Sequence, residues 1–285
     1  MNFQLREETG VAHARVTRNS RLKEFVLGLP LHPIAVDEWL RYGSIYVDGL
    51  RVRQDREVRQ GQIVRLHTRR KNYVTTELRP RVVFDHEEFL VLDKPAGLPT
   101  HPTLDNYIQN AKVQLETELG QPLFVTHRLD ITTEGLLILA KAKDAQALIN
   151  KLFAKGRVEK LYRAEAAKDV APGPYTHWMN PESRIPKEMS LTAVDGWWEC
   201  RLEVLAVERG SHRVRLLSGK THQIRAQFMA VGAPLKGDAI YGSTEPWTGA
   251  GLGLFCEELK LRFRNPEFHF RRNPVAGAPP DAPTT

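Results

Sequence analysis

Thr126-His-Arg-Leu-Asp-Ile-Thr-Thr-Glu-Gly-Leu-Leu-Ile-Leu-Ala140 is the stretch from which the rest of the chain is read. After Gly135 comes the apolar run Leu136–Ala140, of strand length and bounded by a breaker, and the shorter run Leu123-Phe-Val-Thr126 precedes it. His127, Arg128 and Asp130 therefore occupy a loop between two core strands, where a guanidinium and a carboxylate are held close together. Taken alone, Arg128 and Asp130 read first as a structural ion pair or a turn cap. The flanking segments decide between that and chemistry.

Upstream, Arg81-Val-Val-Phe84 and Phe89-Leu-Val-Leu92 form a hairpin through the polar turn Asp85-His-Glu-Glu88, and a helix is expected over 104–119, ended by Gly120. Downstream, the spacing predicts a helix over 144–155, strands over 158–166, 199–208 and 212–217, a helix over 222–231, and a last strand over Leu254–Phe263. This is a mixed α+β pattern with more sheet than helix. Residues 168–198 sustain no period and read as an insertion or a long connection, and Gly249, Gly251 and Gly253 as a flexible loop.

The periodicity changes near 72–80, which sets a domain boundary. Before it lie two short helical signals (Leu22, Phe25, Val26, Leu29 and Ile34, Val36, Trp39, Leu40), then Ser44-Ile-Tyr-Val47 and Leu50-Arg-Val-Arg53 joined by Asp48-Gly49, a strong hairpin signal. A strand at Gln62–His67 follows. Arg41, Arg51, Arg53, Arg56, Arg59 and Arg65 cluster around this β segment as a basic patch. Residues 1–19 show no clear period and are expected to be a loose extension. The Pro/Ala-rich residues 275–285 are expected to be a disordered tail.

Of 285 residues, 41% are hydrophobic and 26% charged, which excludes collagen, coiled-coil and wholly disordered classes. Lys and Arg number 41 against 34 Asp and Glu, a net charge of +7. Such a balance suits a polyanionic partner, nucleic acid or an acidic membrane surface, and also simple solubility. Two cysteines supply neither a disulfide framework nor a structural zinc site, so the setting reads as reducing. No apolar run approaches the ~20 residues of a membrane span and the N-terminus carries no signal-like stretch, so a cytoplasmic protein is expected.

Several familiar motifs fail. Gly219-Lys220-Thr221 lacks the earlier glycine of a phosphate loop, because Val214 occupies that position. The glycines at 249, 251 and 253 have no βαβ unit after them. No serine lies in a nucleophile-elbow pattern, and no histidine pair has zinc-protease spacing.

Four blocks in order resemble the pseudouridine synthases, specifically the RluA-like class that modifies ribosomal or transfer RNA. They are Lys94-Pro-Ala-Gly97 with His101-Pro102; His127-Arg-Leu-Asp130 with Thr133 and Gly135; Lys160-Leu-Tyr-Arg-Ala164; and Gly219-Lys-Thr-His-Gln-Ile-Arg225 followed by Gly237-Asp238 and Tyr241-Gly242. The match spans roughly 82–264. The chain departs from the pattern at Glu134, where serine is usual, at Lys220, where arginine is usual, and over 165–198, which follows no motif. Glu134 would put an anion near a phosphate-binding surface. The N-terminal segment resembles the small alpha-L RNA-binding fold, best over Trp39–Gly49. The implied organisation is an alpha-L-like domain over 20–75 and a catalytic domain over 80–272, the latter a mostly antiparallel sheet with flanking helices.

The resemblance implies an isomerase that needs no cofactor and no metal. Asp130 would be the essential carboxylate, attacking the ribose anomeric carbon, adding to the uracil ring, or deprotonating the sugar to give a glycal. Arg225 would be the cation that pairs with it. Tyr162 would stack on the target uracil and offer a hydroxyl for proton removal at carbon five. Arg128 would fill the space vacated by the flipped nucleotide. His127 would help position the RNA backbone, Lys94 would hold a phosphate or the motif loop, and Lys220 and His222, with Arg41, Arg51 and Arg53 of the basic patch, would contact RNA. The partner would be ribosomal RNA in preference to transfer RNA, and the protein a monomer.

Overall fold

The computed structural model describes residues 3–6, 10–31 and 36–272. They cluster into two units, Met1–Thr75 with His101–Gln114, and Thr76–Thr100 with Leu115–Thr285. The tail expected over 275–285, and Ile34 of the second helical signal, lie outside the described residues.

The first unit contains β1 (Phe3–Arg6), β2 (Val11–Arg15), β3 (Ser20–Arg21), α1 (Leu22–Leu27), α2 (Val36–Tyr42), β4 (Ile45–Val47), β5 (Leu50–Val52), β6 (Glu57–Val58) and β7 (Ile63–His67). An antiparallel sheet runs β1-β2-β7-β4-β5, and β3 pairs with β6. Residues 11–15 are thus not a loose extension: β2 pairs along its length with β7, from Val11 opposite His67 to Arg15 opposite Ile63. Ala12 and Ala14 point into the core with Leu22, Val26, Leu40, Ile45, Val64 and Leu66. Alanine carries little hydrophobic signal, which is why the alternation escapes a sequence reading. The hairpin at Asp48-Gly49 forms as expected, and the Asp48 carboxylate fixes it to β7 by accepting the Ile63 amide at 2.8 Å.

Helix was expected from 104, but α3 (Ala111–Leu119) begins seven residues later. Polar side chains capture the backbone before it: Asn106 Oδ1 accepts the amides of Ile108 and Gln109, and Asn110 Oδ1 caps α3 by accepting the Val113 amide at 3.0 Å. Residues 101–114 also belong to the first unit, although the sequence assigns them to the catalytic domain. Ser44 Oγ donates to the Asp105 carbonyl at 2.6 Å and Tyr46 Oη to the Leu104 carbonyl at 3.0 Å.

The second unit contains β8 (Val82–Asp85), β9 (Phe89–Lys94), β10 (Phe124–Val125), β11 (Glu134–Ala140), α4 (Lys143–Ala154), β12 (Val158–Glu165), β13 (Gly173–Met179), β14 (Met189–Ser190), β15 (Trp198–Glu208), β16 (Ser211–Leu216), α5 (Gln223–Ala230), β17 (Leu254–Arg262) and β18 (Glu267–Arg271). Its sheet runs β14-β13-β15-β16-β12-β17-β11-β9-β8, with β10 on β11 and β18 on β17. Among these pairings only β11 with β17 is parallel, so the mostly antiparallel α+β class holds. Phe89–Leu92 and Leu136–Ala140 are fully buried, which explains apolar runs without alternation.

Two segments depart from expectation. The 168–198 stretch is no mere connection, because β13 pairs with β15 over seven residues; a proline and scattered polar residues hide it. β18 was not anticipated either, although Phe268 and Phe270 alternate with polar residues and are buried.

Gly135 opens β11 beside the parallel partner. Its φ is +114°, and a Cβ there would overlap the Cys256 carbonyl oxygen and come within 2.7 Å of the Cys256 amide nitrogen. Gly251, read as part of a flexible loop, also packs closely: its φ is +72°, and a Cβ would strike the Thr132 carbonyl oxygen and approach the Ala96 side chain at 2.7 Å. We expect Gly135→Ala to lower folding stability by about 3 kcal/mol or more, read as a drop in the denaturation midpoint, whereas Gly156→Ala, with open space around it, costs about 1 kcal/mol.

Candidate active site

The loop carrying Asp130 is pinned from several sides. Thr126 Oγ1 donates to the Ile138 carbonyl at 2.7 Å, Thr100 Oγ1 to the Leu129 carbonyl at 2.9 Å, and the Gly97 amide to the Ile131 carbonyl at 2.7 Å. The Lys94-Pro-Ala-Gly97 element thereby acts as a brace. Lys94 is fully buried, with Nζ donating to the carbonyls of Pro95 at 2.9 Å, Leu98 at 2.8 Å and, at the limit of 3.5 Å, Ile131. Burial pushes its pKa down to about 7, opposed by Asp130, Glu134 and Asp93, and the three carbonyl acceptors suit an ammonium. Lys94 holds the motif loop; an RNA phosphate cannot reach it.

His127 also turns inward. Its Nε2 accepts the Ile138 amide at 3.0 Å, and its ring lies tilted against Phe153 at 4.8 Å. Burial, with Lys160 nearby, pushes its pKa to about 3. Both observations make His127 a neutral buttress of the loop in place of the RNA contact expected. Arg128, by contrast, is exposed on the same loop.

Asp130 is one-fifth exposed, with Oδ2 facing Arg225 Nη1 at 3.6 Å and His222 Nε2 at 3.9 Å. Arg225 is 3% exposed and its firmest partner is Asp238, 1% exposed, which accepts from Nε at 2.7 Å and from Nη2 at 2.8 Å. Burial alone would lower the Arg225 pKa, but Asp238, with Asp130 beyond it, outweighs that and raises it. Arg225 Nη1 donates to His222 Nε2 at 3.1 Å, which leaves the ring proton on Nδ1 for the Tyr241 hydroxyl at 3.1 Å. The Arg225 guanidinium lies over the Tyr241 ring, 4.9 Å from ring centre to Cζ, and the Tyr241 hydroxyl accepts the Lys187 amide at 2.9 Å. His222 itself is held below the usual histidine range by burial and by Arg225, with Asp130 opposing.

Tyr162 lies opposite Cys256 in the β12–β17 ladder and is 5% exposed. Burial raises the phenol well above its ordinary value, with Cys256 and Asp130 adding to the rise. The Cys256 thiol, hydrogen-bonded to Tyr162, is pushed up to about 12 by burial. Tyr162 is thus a neutral phenol beside the carboxylate, an environment that opposes the resting base suggested from sequence. Lys220 Nζ sits 4.5 Å above the Trp198 ring. Glu134 is neutralised by Arg272, whose Nη2 lies 2.5 Å from Oε2, so it presents no bare anion.

In the first unit Arg41 and Arg53 are exposed, Arg53 lying 4.1 Å from the Tyr107 ring centre. Arg51 is committed elsewhere: its guanidinium donates to the Gly43 carbonyl at 2.6 Å and the Thr103 carbonyl at 2.5 Å and stacks on Tyr46. It ties the 101–114 segment to the hairpin with these two donors. Arg21, Arg56 and Arg59, with Asp55, Glu57 and Gln62, line an open depression of about 600 Å³ that holds none of the four motifs.

Residues 88–230, just over half the chain, match the model of the family described as RNA pseudouridylate synthase. The chain belongs to that family. The resemblance to its RluA-like class, read from the four blocks, is thereby borne out. The chain is 33% identical over 190 residues to RNA pseudouridine synthase 6, chloroplastic, of Arabidopsis thaliana, covering 57% of this chain and 40% of that protein. It therefore spans less than half the length of that relative. It is 29% identical over 217 residues to ribosomal large subunit pseudouridine synthase D of Pseudomonas aeruginosa, covering 72% of this chain and 67% of that one. In fold it is similar to human RNA pseudouridylate synthase domain containing 1, at a TM-score of 0.55 and 20% identity, covering 74% of this chain and 94% of that one.

Asp238, Tyr241 and Cys256 complete the pocket. The first two lie in a block that the sequence displays without a role, whereas a cysteine inside an apolar strand carries no signal at all.

His67, His127, His177 and His222 all have pKa values lowered chiefly by burial, so each is neutral when folded and takes up a proton near its ordinary 6.5 when unfolded. Their protonation favours the unfolded state, so stability falls as pH drops below about 6.5, continuing for His127 towards about 3. Denaturation measured from pH 8 to 4.5 should show that decline, with a shallower slope in His127→Gln, whose amide oxygen can accept the Ile138 amide.

Proposed function

We propose that this protein isomerises uridine to pseudouridine in RNA, with Asp130 as the essential carboxylate. The observation that carries the reading is the partly open Asp130 carboxylate facing a buried, doubly anchored Arg225 guanidinium. The reaction breaks the bond between uracil N1 and ribose C1′ and joins C5 to C1′. The proton on C5 leaves and N1 gains one, so atoms and electrons balance without an oxidant or a water molecule. Asp130 serves this as a nucleophile at C1′ or at the uracil ring, or as a base at C2′.

The surroundings support the other roles. Arg225 opposes Asp130 with a fixed positive charge that cannot dissociate at working pH. Tyr162, as a neutral phenol, offers its ring face to the uracil. Exposed Arg128 fills the gap left when the target nucleotide flips out of its stack, at a cost of about a few kcal/mol. Arg41 and Arg53 supply part of the electrostatic footprint of an alpha-L-like RNA-binding unit, and Lys220 and His222 line the approach. We take ribosomal RNA as the substrate, following the name of the Pseudomonas aeruginosa relative. The buried free thiols Cys200 and Cys256 accord with a reducing, cytoplasmic setting.

The test is pseudouridine mapping of cellular RNA from a strain lacking the gene, complemented with the intact chain or with Asp130→Asn. A site in ribosomal RNA should disappear and return only with the intact chain, and purified Asp130→Asn should turn over at least about 1,000-fold more slowly. Restoration by Asp130→Asn would overturn the mechanism, and a vanished site in transfer RNA would reassign the substrate.

A further inference from the structure

Two of the three places where the chain leaves the family pattern meet in space. Trp198 ends the 165–198 stretch that follows no motif, and Lys220 stands where arginine is usual. In the fold, Lys220 Nζ lies 4.5 Å from the Trp198 ring centre. Trp198 is the first residue of β15, opposite Met179 on β13, and lies on the strand face that carries buried Cys200 and Leu202. Unlike them it is 42% exposed. Leaving an indole this open forgoes burial of one of the largest apolar side chains, so the position calls for a partner.

The pair is rigidly mounted. The Lys220 amide donates to Gln223 Oε1 at 3.0 Å, Ser218 Oγ donates to the same oxygen at 2.9 Å, and Gln223 Nε2 donates to the Arg201 carbonyl on β15 at 3.1 Å. Gln223 thus fastens the loop carrying Lys220 to the strand carrying Trp198. Among the described residues no carboxylate lies within ion-pair distance of Lys220 Nζ, while the nearby Glu199 is paired with Arg201 at 3.1 Å. Two residues beyond Lys220, His222 lies 3.9 Å from Asp130. A part-exposed indole, a cation without a carboxylate partner and a place two residues from His222, which faces Asp130, together suit one kind of guest. A nucleotide offers a flat base for the indole and a phosphate for the ammonium.

We infer that Trp198 and Lys220 form a stacking platform for an unpaired base of the RNA strand entering the site. This inference rests on the RNA reading above and names a specificity element within it. The base stacks on the indole, the ammonium meets the adjoining phosphate, and the strand is aligned so that the nucleotide presented to Asp130 lies at a fixed distance along the chain from the stacked one. A structured RNA with a paired base at that position is discriminated against.

The test is equilibrium binding of fluorescein-labelled oligouridylate, and of an abasic ribose-phosphate oligomer of the same length, to the full chain. Trp198→Ala should weaken oligouridylate binding about tenfold and leave the abasic oligomer unchanged, while Trp198→Phe keeps most of the affinity. Lys220→Ala should weaken both oligomers and flatten the salt dependence. Equal binding of oligouridylate by Trp198→Ala and the wild type overturns the platform, and so does an equal loss for both oligomers. If Trp198→Ala is unfolded by circular dichroism, the wild type's preference for bases over the abasic oligomer, kept by Trp198→Phe and lost in Trp198→Leu, decides instead. Wild-type pseudouridine formation is measured alongside. Turnover without Trp198-dependent binding removes only the platform, and Trp198-dependent binding without turnover removes only the activity.

Discussion

The buried ion pair between Arg225 and Asp238 is the constraint on which the pocket depends. Two parallel hydrogen bonds at 2.7 and 2.8 Å fix the guanidinium plane, and the guanidinium lies over the Tyr241 ring. A buried pair of this kind gains little net stability over an apolar substitute, because desolvation offsets the attraction. Its value lies in direction. With Nε and Nη2 taken, Nη1 alone points outward to Asp130 and His222. The separation from Asp130, 3.6 Å, is longer than a strong charge-assisted hydrogen bond, so the carboxylate is held in place electrostatically without being captured.

The second support is the bracing of the Asp130 loop. Lys94, Thr100 and Gly97 bind it from one side, His127 from beneath, and Gly135 lets β11 pass against Cys256 of β17. Tyr162 pairs with that same Cys256, so the one parallel pairing of this sheet among the described residues sets both the carboxylate loop and the tyrosine. The motif residues that touch no substrate are thus explained by the positions of those that would.

Much of this was legible in the sequence. The apolar runs at 89–92 and 136–140, the glycine stops of α4 and α5, and the four motif blocks placed the central strands and brought Asp130, Tyr162 and Arg225 to one pocket. What was not legible has physical causes. Charge does not reveal direction: Lys94, His127 and Arg51 are polar residues in basic or motif segments, yet each turns inward to satisfy backbone groups. Polar capping overrode helix propensity before α3, and alanine alternation concealed β2. Cys256 and Trp198 carry no sequence signal, because what they do depends on strands far apart in the chain.

In the mechanism proposed above, Asp238 acts on the chemistry only through Arg225. A double-mutant cycle of pseudouridine formation, with Arg225→Gln, Asp238→Asn and the double variant compared on one transcript, tests it most directly. The account predicts that each single variant loses kcat and that the double variant is no slower than Arg225→Gln alone, since the two amides restore a neutral hydrogen-bonded pair. Losses that multiply in the double variant would show the two residues acting independently and would contradict the account.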